Sequence, residues 1–174
     1  MKKIIIASSG ASGVHLGVKM AQLLPSEIEK HFIVTDNAHT VVEKELHNTK
    51  LHSNEDIAAS ISSGSFGVDG MIIAPCSMNT LAKIACGISD NLVTRAAAVM
   101  IKEQKKLLLA PREIPFSAIA LENMHKLASL GIIIAPPVMA YYSQQQTLDE
   151  MENFVIGKWF DLLGIENNLY KRWE

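Results

Sequence analysis

The chain has 174 residues, 48% of them hydrophobic, and a formal net charge of −2. That length and apolar content fit one domain with a full core, 1–174, and the charge, with no basic stripe, excludes general nucleic-acid binding. No apolar stretch is long enough to span a bilayer, and Cys76 and Cys86 form no CxxC pair, so a soluble cytoplasmic protein is expected.

The elements alternate along the chain. A strand is predicted over Lys2–Ala7; the run is too short for a signal peptide and breaks at Ser8. A helix over His15–Leu24 closes at Pro25, then Phe32–Val34 is a second strand and Asn37–Leu46 a helix. The polar stretch His47–Gly70 holds a short helix at Asn54–Ser60 and a Ser/Gly loop at Ser62–Gly67. Strand three is Met71–Ala74, followed by helices at Leu81–Cys86 and Asn91–Gln104. Strand four is Leu107–Ala110, with a helix at Ser117–Leu130, and strand five is Ile132–Ala135, with a helix at Leu148–Leu163. Nearly uninterrupted apolar strands between helices imply an α/β fold: one doubly wound, mostly parallel sheet with helices on both faces.

Four strands end at clusters of small, hydroxyl or cationic residues. The first runs into Ser8-Ser9-Gly10-Ala11-Ser12-Gly13, and a helical pattern begins at Val14. Unpaired first-turn amides and the helix dipole make such a cradle an anion site. It lacks both GxGxxG and GxxxxGK[ST] spacing, so plain turn chemistry, a mononucleotide or flavin phosphate, and a dinucleotide all stay open. Ser12 is no hydrolase nucleophile, because Val14 replaces the last glycine of a GxSxG elbow. The other clusters are Pro75–Thr80, Pro111-Arg112-Glu113 and Pro136-Pro137, and in an open parallel sheet all share the rim where ligands bind.

Six histidines at 15, 31, 39, 47, 52 and 125 show no HExxH or i,i+4 pair, so no metal site is expected. Among 16 cationic residues only Arg95, Arg112 and Arg172 are arginine. Arginine in so lysine-biased a chain points to bidentate recognition, and Arg112 directly follows a strand, where its fork can clasp phosphate. Arg95 and Lys102 lie seven residues apart on one predicted helix and share a face.

These motifs together resemble the flavin prenyltransferase (UbiX) family, formerly described as aromatic acid decarboxylases or their subunits. The carriers are Gly10–Gly13, Ile61–Phe66, Pro75–Thr80, Thr94–Ala97, Ile101–Glu103, Pro111–Ser117, Leu121–Met124, Pro136-Pro137 and Ala140–Tyr142. The resemblance implies joining of a dimethylallyl group from dimethylallyl phosphate to N5 and C6 of reduced FMN, the product serving a UbiD-type decarboxylase. It also implies a homododecamer with active sites at subunit junctions.

Carried over by the resemblance, FMN meets Gly10, Ala11, Ser12, Thr35, Ser77, Met78, Asn79, Thr80 and Arg112. The prenyl phosphate meets Tyr142, Lys158, Arg95 and Lys102, while Ser12, Glu45 and Glu113 are polar active-site positions. Asn79 stands where the family often has lysine, Lys158 where it often has arginine, and Thr35 where it usually has serine. Two phosphate dianions about 8 Å apart would repel by roughly 8 kcal/mol at an effective dielectric near 20, which clustered cations must offset. Tyr141, Tyr142 and Trp173 offer an apolar wall. Asn79-Thr80 and Gly87–Leu92 also look like the flavin-dependent cysteine decarboxylases, but the histidine those enzymes carry before the turn is absent from Ala58–Gly64. A noncatalytic flavin-binding accessory subunit is a further alternative.

Overall fold

Ile4, Ile5 and Ile6 have no exposed surface in the computed structural model of this chain, which describes residues 1–10, 13–34 and 45–172. Three consecutive buried residues require a strand covered on both faces, which is why these runs read as continuously apolar. Six strands form the sheet: β1 (Lys3–Ser9), β2 (Glu29–Val34), β3 (Lys50–Ser53), β4 (Gly70–Cys76), β5 (Lys106–Pro111) and β6 (Ile133–Ile134). Their order is β3-β2-β1-β4-β5-β6, and every neighbouring pair is parallel. The chain reverses its direction of travel across the sheet between β1 and β4, and a crevice opens at such a switch point.

Among the described residues, five α-helices cover the sheet: α1 (Val14–Leu23), α2 (Met78–Ala85), α3 (Leu92–Lys102), α4 (Ala118–Ser129) and α5 (Leu148–Leu163). Leu16, Val18 and Met20 of α1 share one core with Ile156, Trp159 and Phe160 of α5. Leu81, Val93, Ala97 and Leu127 bring α2, α3 and α4 into the other. The indole N–H of Trp159 donates to the Ala135 carbonyl at 3.0 Å, fastening α5 beyond the end of β6.

The structure corrects the stretch after β2. No α-helix forms over Asn54–Ser60; edge strand β3 precedes it, and 3₁₀ turns occupy Ser60–Ser62 and Gly64–Phe66. In β3, Lys50-Leu51-His52-Ser53 pairs with His31–Val34 on one side only, so no apolar run announced it. The Asn37–Leu46 helix falls almost wholly outside the described residues. Leu148–Leu163 agrees at both ends, since Thr147 and Glu150 form a capping box and Gly164 closes the helix at φ 70°.

Candidate active site

The ends of β1 and β4 are stitched together at the rim. Ser77 N–H donates to Ser9 O at 3.0 Å, and Ser8 Oγ donates to Ala74 O at 2.8 Å. Helix α1 comes close against them at Gly17, where a Cβ would lie 2.5 Å from Ser8 Oγ and 2.7 Å from Ala74 O. Gly13 is the N-cap residue of α1, left-handed at φ 92°, a conformation glycine adopts at no steric cost. Among the described residues no side chain caps α1, whereas Ser77, Asn91, Ser117 and Thr147 cap the other four helices. Arg112 lies across this bare helix start, its Cδ 3.5 Å from the place a Gly13 Cβ would take.

The turn after β4 is held more tightly. Ser77 Oγ accepts from Thr80 N–H at 3.2 Å and donates to Thr80 Oγ1 at 3.0 Å. Asn79 is exposed, Met78 is half-buried, and a Gly10 Cβ would stand 3.8 Å from Pro75 Cγ, so Gly10 faces this turn. Cys76 is fully buried below, and burial pushes its thiol up to about 12, with the Ser9 side chain opposing. At neutral pH that sulfur is an inert apolar group, not a nucleophile.

Beyond β5, Arg112 and Glu113 border an open depression of about 450 Å³. Its remaining walls are Pro111, Ile114, Phe116, Pro136, Pro137 and Val138, so a cation and a carboxyl group stand beside an apolar surface. Glu113 Oε1 accepts the Ile114 N–H at 3.1 Å, which turns the carboxylate along its own loop.

The other expected residues divide. Tyr142 packs edge-on against Phe154, ring centroids 5.8 Å apart, and Phe154 meets Tyr170 at 4.9 Å. Lys158 Nζ lies 5.9 Å from the same Tyr170 ring, so α5 brings Tyr142 and Lys158 to one cluster. Arg95 and Lys102 are both on the exposed face of α3, as their spacing predicts. Lys102 does not stand at the rim, however. Lys102 pairs with Glu103 and lines a groove with Lys126 and Leu130, at the end of α4 that leads into β6. That groove lies where α3 and α4 end ahead of β5 and β6, at the strand starts, whereas Arg112 follows the last residue of β5. The start of α3 is tied to Asn54, after edge strand β3, by Leu92 N–H to Asn54 O at 2.8 Å. Glu45 is exposed, and its carbonyl accepts from Gln22 Nε2 at 3.4 Å, beside the last turn of α1 rather than its first. Ala11, Ser12, Thr35 and Trp173 lie outside the described residues.

The cradle suits one phosphate. An αL glycine at a helix start that no side chain caps among the described residues, and an arginine across it, put N–H donors and a guanidinium at one place. The Flavoprotein family model matches residues 1–158. The flavin prenyltransferase UbiX of Helicobacter pylori strain J99 is 47% identical, with 98% of each chain covered. The chain belongs to the UbiX flavin prenyltransferase family.

Solved structures of the family superpose over nearly all of it. A dodecameric FMN-dependent UbiX-like decarboxylase from Escherichia coli O157:H7 is 41% identical, with 99% of each chain covered and a TM-score of 0.90. AnUbiX (PadA1), solved with FMN and dimethylallyl pyrophosphate, is 35% identical, covering 99% of this chain and 97% of its own, at a TM-score of 0.89. Sequence reasoning missed Gly157, Asp161 and Tyr170, which carry the Tyr142–Lys158 cluster. The readable signal was Gly157, an interior helix glycine that costs about 1 kcal/mol against alanine unless something packs on it.

Proposed function

We propose that this chain is a flavin prenyltransferase, a metal-independent transferase that joins a dimethylallyl group to N5 and C6 of reduced FMN. The observation that carries the reading is Arg112 lying over the uncapped Gly13 helix start, with Glu113 beside it on an apolar depression. Bound reduced FMN supplies the nucleophilic nitrogen and carbon. Gly10, Ala11, Ser12, Thr35 and the turn Ser77–Thr80 hold and orient it, and Arg112 binds its phosphate. Tyr142 and Lys158 grip the donor phosphate: forming the N5 bond breaks the prenyl C–O bond and releases the N5 proton, and forming the C6 bond consumes the prenyl double bond, which takes up a proton as C6 loses one. Phosphate leaves poorly as a trianion, so Glu113 carries a proton toward it, with Ser12 completing the polar set; Glu45, beside the last turn of α1, stands apart from it within one copy. The depression walled by Ile114, Phe116 and Val138 excludes water from the prenyl chain.

Arg95 and Lys102 reach this centre from a second copy of the chain. In one copy Lys102 lies at the strand starts, away from the end of β5 where Arg112 sits, while its exposed position on α3 leaves it available to a neighbour. A homododecamer with active sites at subunit junctions accommodates this, as an isologous or ring contact places one copy's helix on another's rim. The protein is read as a single flavoprotein domain acting in the cytoplasm, its product passing to a UbiD-type decarboxylase. No helix among the described residues is long and apolar enough to cross a membrane. Anaerobic incubation with reduced FMN and dimethylallyl phosphate, followed by mass analysis of the flavin, tests the assignment.

A further inference from the structure

The last described segment, Ile165–Arg172, doubles back along α5 after the left-handed Gly164. It lies on a single helical stripe. Phe154, Gly157, Lys158 and Asp161 are spaced i, i+3, i+4 and i+7, so their side chains share one face. Tyr170 occupies the middle of that face. A Cβ on Gly157 would stand 2.5 Å from Tyr170 Cδ1 and 2.9 Å from Cε1, so only glycine lets the ring lie on the helix.

Asp161 holds the segment from below. Its carboxylate accepts Arg172 Nη1 at 3.0 Å and Nη2 at 2.9 Å, the Tyr170 hydroxyl, and Asn167 Nδ2 at 2.9 Å. Asn167 Nδ2 also reaches the Gly157 carbonyl at 3.2 Å, and the Arg172 guanidinium stacks 5.2 Å above the Tyr170 ring. A bidentate arginine and a phenol on one carboxylate give fixed geometry, not merely attraction. The fixed ring then reaches both residues read as donor-phosphate ligands, Lys158 directly and Tyr142 through Phe154. It packs on Phe154, which packs on Tyr142, and it underlies the Lys158 ammonium.

We infer that Tyr170, seated on Gly157 and clamped by Asp161 and Arg172, is a positioning residue that sets Tyr142 and Lys158 for the prenyl phosphate. This rests on the proposed function, because it concerns how that donor site is held. Among the described residues, the ring and hydrogen-bond partners of Tyr170 belong to α5 and to its own segment.

The test is steady-state kinetics on the full chain loaded with reduced FMN, with dimethylallyl phosphate varied. Tyr170→Ala removes the ring and should raise the donor KM about tenfold, leaving kcat and the FMN Kd within about twofold, the pattern of lost positioning on one substrate. Tyr170→Phe keeps the ring and should restore most of the donor KM. Gly157→Ala, which displaces the ring without deleting it, should behave like Tyr170→Ala. An unchanged donor KM in Tyr170→Ala overturns the inference. So does an equal loss of FMN affinity, which would mark a general structural role. Wild-type protein that forms no prenylated flavin would instead remove the proposed function, and this inference with it.

Discussion

Arg112 and Gly13 meet across the mouth of the sheet: the arginine Cδ lies 3.5 Å from the point where any side chain at residue 13 would begin. The pair joins two loops almost a hundred residues apart and makes one anion site from them. Arg112→Ala should therefore weaken FMN binding by about 1.5–3 kcal/mol, the range for a lost charge-assisted bond. Flavin titration by fluorescence quenching measures it directly, and equal affinity in mutant and wild type would detach Arg112 from the flavin.

Glu113 is tested by an isosteric change. Glu113→Gln should bind FMN normally but form prenylated flavin on the order of a hundredfold more slowly, the typical loss for a general acid–base group. Rapid single-turnover formation by this variant would leave Glu113 with only its hydrogen bond to Ile114.

Lys158 is proposed to hold the donor phosphate without the planar fork of arginine. Lys158→Ala should raise the KM for dimethylallyl phosphate strongly with FMN affinity nearly unchanged, because the two phosphates use different cations. Lys158→Arg should keep most activity, since a charge remains at the same place on α5. An alanine variant with unaltered constants would make Lys158 an ordinary solvated residue.

Placement of Lys102 before the start of β5, and of Glu113 after its end, predicts complementation between copies. Lys102→Ala and Glu113→Gln chains, each strongly impaired alone, should recover about a quarter of wild-type activity when co-assembled in equal amounts, the statistical share of sites with both groups intact. No recovery in mixed oligomers would place both groups in one copy's site or remove Lys102 from the chemistry.

Acid should loosen the C-terminal clamp at a defined point. The Arg172 guanidinium, helped by Tyr170 and Asn167 and opposed by burial, holds the Asp161 carboxyl down to about 2 from its ordinary 3.8. A depressed folded-state value means the stabilisation is complete above about 3.8 and is lost as pH falls through about 2. Burial, reinforced by Asp161, pushes the Tyr170 phenol up to about 12, so its contribution is present below 10 and lost as pH rises through 12. In denaturant titrations, the stability gap between wild type and Asp161→Asn should close in the acid window between about 3.8 and 2 and should change again as pH rises from 10 through about 12; a gap independent of pH would deny the charged pair.

Most of the architecture was legible because the core strands are buried on both faces: Ile4–Ile6, Met71–Ala74 and Leu107–Ala110 are apolar at every position. The edge of the sheet was not. β3 pairs on one side, and its stabilisation includes a polar network invisible to periodicity: His31 Nδ1 and His52 Nε2 are 2.9 Å apart, and His31 Nε2 lies 3.1 Å from Glu29 Oε1. Burial lowers the pKa of both histidines, so they are read as neutral partners in a structural stack rather than as site residues. At the site, Gly13, Ser77 and Arg112 could be placed because local turn chemistry fixes them at strand ends. The Tyr142–Lys158 cluster depends on long-range packing through Phe154 and Tyr170, and the position of Lys102 depends on which way α3 faces, which no local pattern records.

The most direct measurement of the central claim is the mass of the flavin recovered after anaerobic incubation of the wild-type chain with reduced FMN and dimethylallyl phosphate. The account predicts FMN enlarged by one five-carbon prenyl unit, with inorganic phosphate released in equal amount and no added metal required. Recovery of unmodified FMN, with the flavin bound but the donor intact, would contradict it and leave a binding protein on the same fold.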